Sequence, residues 1–165
     1  MFIRDLLAAL ATKQVPYCIV GGVAVTLHGV PRLTYDVDLV VPTTVEALTA
    51  IDQVLTGLSL RCRLPIQLAD LADDKLRTEY RDERNLIAVT YTDPSDPLRE
   101  VDVLVSPPVP PADIVARAVM LDLQGVRVYV ASLADLIAMK RSTGRAQDES
   151  DVAHLERLAK NDRDG

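Results

Sequence analysis

The segment RLTYDVDLVV, which runs from Arg32 to Val41, decides how this chain folds. Its alternation of polar and apolar residues predicts a β-strand over residues 32–41, because successive strand side chains point to opposite faces of a sheet. Asp36 and Asp38 then leave one face together, and the apolar residues that alternate with them fill the other. Two carboxylates this close repel each other unless a cation neutralises them, and oxygen ligands of this kind suit Mg²⁺. The alternative is an edge strand whose two aspartates simply face solvent.

A second predicted strand, EVDVLV at residues 100–105, also carries acidic residues in an apolar run. Asp102 interrupts the run, and Glu100 lies two residues earlier on the same face. If this strand neighbours the first, Asp36, Asp38 and Asp102 form a cluster able to hold two divalent cations. Such a pair activates an attacking hydroxyl and stabilises the oxygen that leaves the α-phosphate, which is the chemistry of phosphoryl or nucleotidyl transfer. The alternative for Asp102 is a half-buried residue near a strand end.

The pair Gly21 and Gly22 follows a short apolar strand and precedes a short helix. A turn without Cβ atoms lets backbone N–H groups approach a phosphate, so the pair is a candidate cradle for a triphosphate. The alternative is an ordinary tight turn. The chain contains neither the Walker pattern nor the dinucleotide-binding pattern of glycines, which excludes both of those nucleotide-binding classes.

Two cations, Lys140 and Arg145, stand near the end of a predicted C-terminal helix. A triphosphate brings about four negative charges beside an acidic cluster, so an acidic chain needs cations directed into the cleft. We expect Lys140 to contact the terminal phosphates, and Arg145 either to join it or to pair with Asp148 and Asp151. The alternative is that both merely complement the dipole of the helix C-terminus.

Helices and strands alternate along the chain, which predicts an α/β (α+β) fold in a single domain over residues 1–165. The C-terminal helices cover about residues 132–160, and residues 161–165 are predicted to be a frayed tail. The predicted helices are 2–13, a short helix ending before Gly29, 45–58, one through Tyr80 beginning near Leu68, 111–119, 132–143 and 146–160. The predicted strands are one ending at Val20, 32–41, an antiparallel hairpin of 86–93 and 98–105, and a strand pair around Gln124 and Gly125.

Composition excludes several classes of protein. No apolar run approaches the ~20 residues of a membrane helix, and no leader-like segment opens the chain, so we expect a cytoplasmic protein without membrane contact. Two cysteines and two widely separated histidines favour neither a disulfide scaffold nor a zinc site. The net charge of −6 and an aromatic content of 4% disfavour a dedicated single-strand nucleic-acid binder.

Taken together, these residues resemble the DNA polymerase beta type nucleotidyltransferase superfamily, and most closely its small bacterial members grouped with the abortive-infection (AbiEii-like) toxin nucleotidyltransferases. The resemblance spans about residues 15–158. It implies a mixed β-sheet flanked by helices, with Mg²⁺ or Mn²⁺ held at the acidic residues of the two strands. The residues that carry the resemblance are Gly21, Gly22, His28, Gly29, Arg32, Thr34, Asp36, Asp38, Asp102, the run Leu133–Lys140, Gly144, Arg145, Asp148 and Asp151.

The resemblance implies a metal-dependent enzyme that moves a nucleoside monophosphate from a nucleoside triphosphate to a hydroxyl acceptor. Asp36, Asp38 and Asp102 are the implied catalytic residues and metal ligands, and Arg32 and Thr34 join the glycine pair and the C-terminal cations in binding the nucleotide. The acceptor is left open among RNA, a protein and a small molecule. A role in a toxin–antitoxin or phage-defence system, with an antitoxin-like protein partner, belongs to the same implication. The alternative is a protein of this fold that binds nucleotide or a partner chain without turnover.

Overall fold

The computed structural model describes residues 2–123 and 125–164 of the chain, with Gln124 and both terminal residues outside that range. It contains a seven-stranded mixed sheet in the order β3-β4-β5-β2-β1-β7-β6. The strands are β1 Cys18–Val20, β2 Asp36–Val40, β3 Arg61–Cys62, β4 Ala88–Asp93, β5 Asp96–Leu104, β6 Val119–Leu123 and β7 Val126–Val130. The α-helices are α1 Phe2–Thr12, α2 Gly21–Leu27, α3 Val45–Gly57, α4 Asp74–Arg84, α5 Pro111–Ala116, α6 Leu133–Arg141 and α7 Ala146–Asp164. The predicted mixed sheet flanked by helices is confirmed.

The apolar core is packed against the face of β2 and β5 that carries their alternating apolar residues, and at β1 both faces are buried. α1 contributes Leu6, Leu7 and Leu10 to it, and α3 contributes Leu48, Ile51 and Leu55. The alternating apolar residues of β2 and β5 are at most 1% exposed and pack into the same cluster. Since side chains alternate along a strand, this burial forces the acidic residues of both strands onto the opposite face.

The sheet places β2 at its centre. β2 runs parallel to β5 and antiparallel to β1, and β1 runs parallel to β7. The predicted hairpin is present as β4 and β5, which pair antiparallel. β6 and β7 form the predicted strand pair, although Gln124 of their turn lies outside the described residues. The alternative in which Asp36 and Asp38 lie on an edge strand is therefore wrong.

The strand β2 is shorter than predicted. It begins at Asp36, so residues 31–35 form a loop in which Leu33 and Tyr35 are exposed. The pairing with β5 begins only at Asp36 opposite Glu100, so the residues before Asp36 have no ladder partner there. Arg32 and Thr34 consequently lie on a loop and not on a strand.

Helix boundaries also differ from prediction at three places. Residues 68–72 form a short 3-10 helix, and α4 begins only after Asp73, whose carboxylate accepts the N–H groups of Lys75 and Leu76 at 2.8 and 2.9 Å. α5 ends at Ala116 because the chain turns there into β6. α7 continues to Asp164, beyond the predicted end near Lys160. The single-domain organisation and the fraying of the tail stay predictions. Within the described ranges, no helix has both the length and the apolar character needed to cross a bilayer.

Candidate active site

The pairing of β2 with β5 brings the acidic residues of the two strands together. In the parallel register Asp38 lies opposite Asp102, and Asp36 lies opposite Glu100. One carboxylate oxygen from each of Asp36, Asp38 and Asp102 lies within 4.8 Å of the other two. The predicted three-carboxylate cluster is therefore present in the structure, on the face of the sheet away from the core.

The cluster is electrostatically strained in the absence of a cation. Burial, together with the charges of Asp36 and Asp102, raises the pKa of Asp38 from its usual 3.8 to about 6. Like charges that are partly removed from water disfavour each other, whereas a divalent ion between them reverses the sign of the interaction. Three oxygen donors at this spacing on a half-buried face fit Mg²⁺ or Mn²⁺, both of which prefer carboxylate ligands.

The glycine pair is packed against this cluster. Gly21 has a φ of +63°, which an L-residue adopts only with strain. A Cβ placed on it would lie 1.8 Å from the Asp38 Oδ2 atom, and a Cβ on Gly22 would lie 2.7 Å from the Thr34 Oγ1 atom. The N–H of Gly22 also donates to the Asp38 carboxylate. Both glycines are thus required for the close approach of α2 to the acidic residues, and their contact with phosphate stays a prediction.

Two threonine hydroxyls orient the outer carboxylates of the cluster. Thr34 donates to the Asp36 Oδ1 atom at 2.7 Å, and Thr90 donates to the Asp102 Oδ1 atom at 2.5 Å. Thr34 was among the residues implied by the resemblance, whereas sequence analysis did not single out Thr90. Its only signal in the sequence is a polar position on an alternating strand, and the β4–β5 register that pairs it with Asp102 is a tertiary fact.

Lys140 is buried in an ion-pair network and is not a solvated helix-end residue. It is 7% exposed, and its Nζ atom lies 2.8 Å from oxygens of both Asp148 and Asp151. Arg32 also pairs with Asp151, and its Nε atom is buried without a hydrogen-bond partner. Among the residues that the structure describes, Arg145 is exposed and makes no ion pair with these carboxylates.

This network borders the carboxylate cluster. The positive charge of Lys140 favours the ionised form of Asp38 and partly offsets the rise of its pKa. Burial raises the pKa of Asp148, but hydrogen bonds from Lys140 and Thr143 outweigh this effect and hold the pKa below its usual value. Cations of α6 and of the loop before β2 therefore stand on one side of the acidic cluster, held there by the first turns of α7.

Three arginines, one directly after β3 and two on α4, contact other side chains of the protein. The Arg63 guanidinium lies 3.6 Å from the Glu100 carboxylate, and Arg81 lies 2.8 Å from Asp82. Arg84 stacks over the Tyr80 ring at 4.6 Å from its centroid. Carboxylates therefore compensate the charges of Arg63 and Arg81, whereas stacking on the Tyr80 ring leaves the charge of Arg84 in place.

Comparison with known proteins agrees with this geometry. The family model described as "Nucleotidyltransferase of unknown function (DUF6036)" matches residues 2–162. The solution structure of the antibiotic-resistance factor ANT(2'')-Ia superposes with a TM-score of 0.58 and 16% identity, covering 96% of this chain and 80% of that chain. The crystal structure of ANT(2'')-Ia in complex with adenylyl-2''-tobramycin gives a TM-score of 0.55 and 15% identity, covering 98% of this chain and 95% of that one. No curated protein matches the chain in sequence.

Proposed function

The chain belongs to the DUF6036 family of nucleotidyltransferases, and on that premise we propose that it transfers a nucleoside monophosphate from a nucleoside triphosphate to a hydroxyl acceptor with Mg²⁺ or Mn²⁺. The observation that carries the proposal is the cluster of Asp36, Asp38 and Asp102, whose oxygens lie within 4.8 Å of one another. When bound, divalent cations at these carboxylates neutralise charge on the α-phosphate and make the acceptor hydroxyl more acidic.

The proposed reaction exchanges one bond to the α-phosphorus for another. The acceptor oxygen forms a bond to this phosphorus, the bond to the oxygen that bridges to the β-phosphate breaks, and pyrophosphate leaves with that electron pair. Asp102 accepts the hydroxyl proton. Its Oδ1 atom already accepts from Thr90, which leaves Oδ2 to take the proton.

The remaining predicted residues bind the triphosphate in this proposal. The Cβ-free backbone of Gly21 and Gly22 lies against the cluster and leaves room for phosphate, while Lys140 and Arg32 supply positive charge from the ion-pair network. Hydrogen bonds from such charged groups to phosphate oxygens are short and strong in a partly buried cleft. The Thr34 hydroxyl, which donates to Asp36, holds that carboxylate in place beside the phosphates. Arg145, which is exposed at the start of α7, is free to reach the terminal phosphates.

A small molecule is the acceptor class that the observations favour. The structural relative ANT(2'')-Ia was crystallised with adenylyl-2''-tobramycin, an adenylylated small molecule. A net charge of −6 and arginines engaged by carboxylates or a tyrosine ring disfavour a polyanion such as RNA. A toxin role with an antitoxin-like partner rests on the sequence resemblance alone.

The experiment incubates the protein with each labelled triphosphate, Mg²⁺ and one of three acceptor pools: tobramycin with other small polyols, total RNA, or cell-lysate protein. We expect metal-dependent release of pyrophosphate and label transfer to the small-molecule pool. Asp36→Asn should abolish both, while Asp5→Asn, which changes an exposed carboxylate on α1, should not. Metal-dependent triphosphate binding without pyrophosphate from any pool would instead favour the binding protein without turnover.

A further inference from the structure

Three apolar side chains surround one cavity beside the carboxylate cluster. Leu33, Tyr35 and Leu98 are 86%, 70% and 66% exposed, and within residues 2–123 and 125–164 no other large hydrophobic side chain is as exposed. All three line the same cavity of about 340 Å³, whose other lining residues are Arg32, Thr34, Asp36, Pro97 and Glu100. Exposed apolar area costs about 25 cal/mol per Å² relative to burial, so this concentration in one concave place marks a binding surface.

The cavity and the carboxylate cluster share a wall. Asp36 lines the cavity and also contributes to the cluster. The loop before β2 supplies Leu33 and Tyr35, and the first part of β5 supplies Leu98. Because Asp36 lies opposite Glu100 in the parallel register, Leu98 lies two residues before the start of that pairing, at the level of the loop that precedes β2. A molecule whose phosphates lie at the cluster can therefore extend directly into the cavity.

The positions of charge around the cluster indicate which part of the substrate takes that direction. In phosphoryl transfer the attacking and leaving oxygens lie roughly in line on opposite sides of the phosphorus. The Lys140 ammonium and the Arg32 guanidinium, both paired with carboxylates of α7, stand on the side of α6 and α7, where the leaving pyrophosphate gains most, although other atoms of Arg32 line the cavity. Asp102 on β5 stands on the other side, where the acceptor hydroxyl loses its proton.

Along the strands, the nucleoside has two directions available to it from the α-phosphate. In the direction of the chain, this face leads to Val40, which is fully buried at the end of β2. In the reverse direction the face opens at Asp36 into the cavity. We propose that this cavity binds the base of the nucleoside triphosphate, with the Tyr35 ring stacked on the base and the two leucines as apolar walls.

This assignment rests on the proposed transfer function and adds a ligand subsite to it. Every nucleobase has an apolar π-face, so stacking on a tyrosine gives affinity with little dependence on which base is present. The site thus accepts several triphosphates with similar affinity. It also makes nucleoside binding separable from triphosphate binding, because the two parts contact different residues.

The test measures binding of two probes by calorimetry in the presence of Mg²⁺: a non-transferable α,β-methylene nucleotide and inorganic tripolyphosphate. Tyr35→Ala should weaken the nucleotide about ten-fold and leave tripolyphosphate unchanged, and Tyr35→Phe should retain the wild-type affinity for both. Leu98→Ala should act in the same direction. Met120→Ala, which removes a side chain 53% exposed on β6, is the matched control and should change neither affinity.

A fluorescence measurement gives a second readout, since the chain contains no tryptophan. The variant Tyr35→Trp should be quenched by the Mg²⁺-bound nucleotide and not by tripolyphosphate. The assignment would be overturned if Tyr35→Ala weakened binding of both probes equally, or if it left the nucleotide affinity unchanged. Unchanged nucleotide affinity together with weaker binding of the acceptor would mean that the cavity binds the acceptor instead. If the wild type bound neither probe with metal, the proposed function itself would fail, which separates the two failures.

Discussion

Replacing Asp38 by asparagine should stabilise the metal-free protein at neutral pH. Burial and the neighbouring charges of Asp36 and Asp102 raise the pKa of this carboxyl from 3.8 to about 6. A carboxyl with a raised pKa in the folded state contributes stability that is fully present below pH 3.8 and is lost as the pH rises through about 6. The wild type therefore carries the full penalty of the ionised group at pH 8, and Asp38→Asn does not.

The magnitude follows from the same numbers. The difference between 3.8 and about 6 corresponds to about 3 kcal/mol of unfolding free energy at pH 8, which is an upper limit because the side chain keeps partial access to water. At pH 4 most of this difference disappears, since the carboxyl is largely protonated in the fold. Magnesium should reverse the order at pH 8, because the cation stabilises the folded wild type and loses a ligand in the variant.

The assay is urea unfolding of both proteins in EDTA at pH 4 and pH 8, and again at pH 8 with Mg²⁺. The exposed substitution Asp5→Asn controls for the loss of one negative charge from the whole molecule. Greater stability of wild type than of Asp38→Asn in EDTA at pH 8 would refute the reasoning. It would mean that the carboxylate holds the fold together and that the cluster is a structural feature and not a cation site.

Three further substitutions test the surroundings of the cluster. Gly21→Ala should lower stability by at least about 1 kcal/mol and abolish metal binding, seen by calorimetry, because its Cβ would meet Asp38 at 1.8 Å at a φ of +63°. Lys140→Ala should weaken triphosphate binding and also lower the unfolding free energy by about 3–5 kcal/mol, because it leaves two buried carboxylates without their ammonium; an unchanged melting temperature would contradict this. Thr90→Val should slow transfer and shift its pH profile without changing the melting temperature, since the hydroxyl orients Asp102. Thr90→Ser keeps the hydroxyl and should retain the wild-type transfer rate and pH profile.

Elements with local signals were predicted well from the sequence. α3 begins at the predicted residue, after Thr44, whose hydroxyl accepts the N–H of Ala47 at 3.2 Å. α6 begins at Leu133, after Ser132, whose hydroxyl accepts the N–H of Asp135 at 3.1 Å. The pairing of β4 with β5 was predicted from two apolar runs joined by turn residues. Caps, turns and apolar periodicity act over a few residues, so they can be recognised without the rest of the chain.

Elements whose limits depend on neighbours were predicted less well. β2 begins at Asp36 and not at Arg32, because a strand extends only where a partner offers ladder hydrogen bonds, and the register with β5 starts at Glu100. The burial of Lys140 was not predictable from the sequence either. The local pattern of a cation near a helix end is the same whether or not the next helix places carboxylates beside it. Here Asp148 and Asp151 reach it from α7.

The sequence by itself determined that acidic residues interrupt two apolar strands and that, within each strand, these residues share one face. The spacing of two between Asp36 and Asp38, and the apolar residues that alternate with them, settle that question because strand side chains alternate. Only the tertiary structure decided that β5 lies beside β2 in a register that places Asp102 opposite Asp38, and that Thr90 and Lys140 reach the same place. Strand order and register come from the packing of the whole core, because they minimise exposed apolar area across residues far apart in the chain.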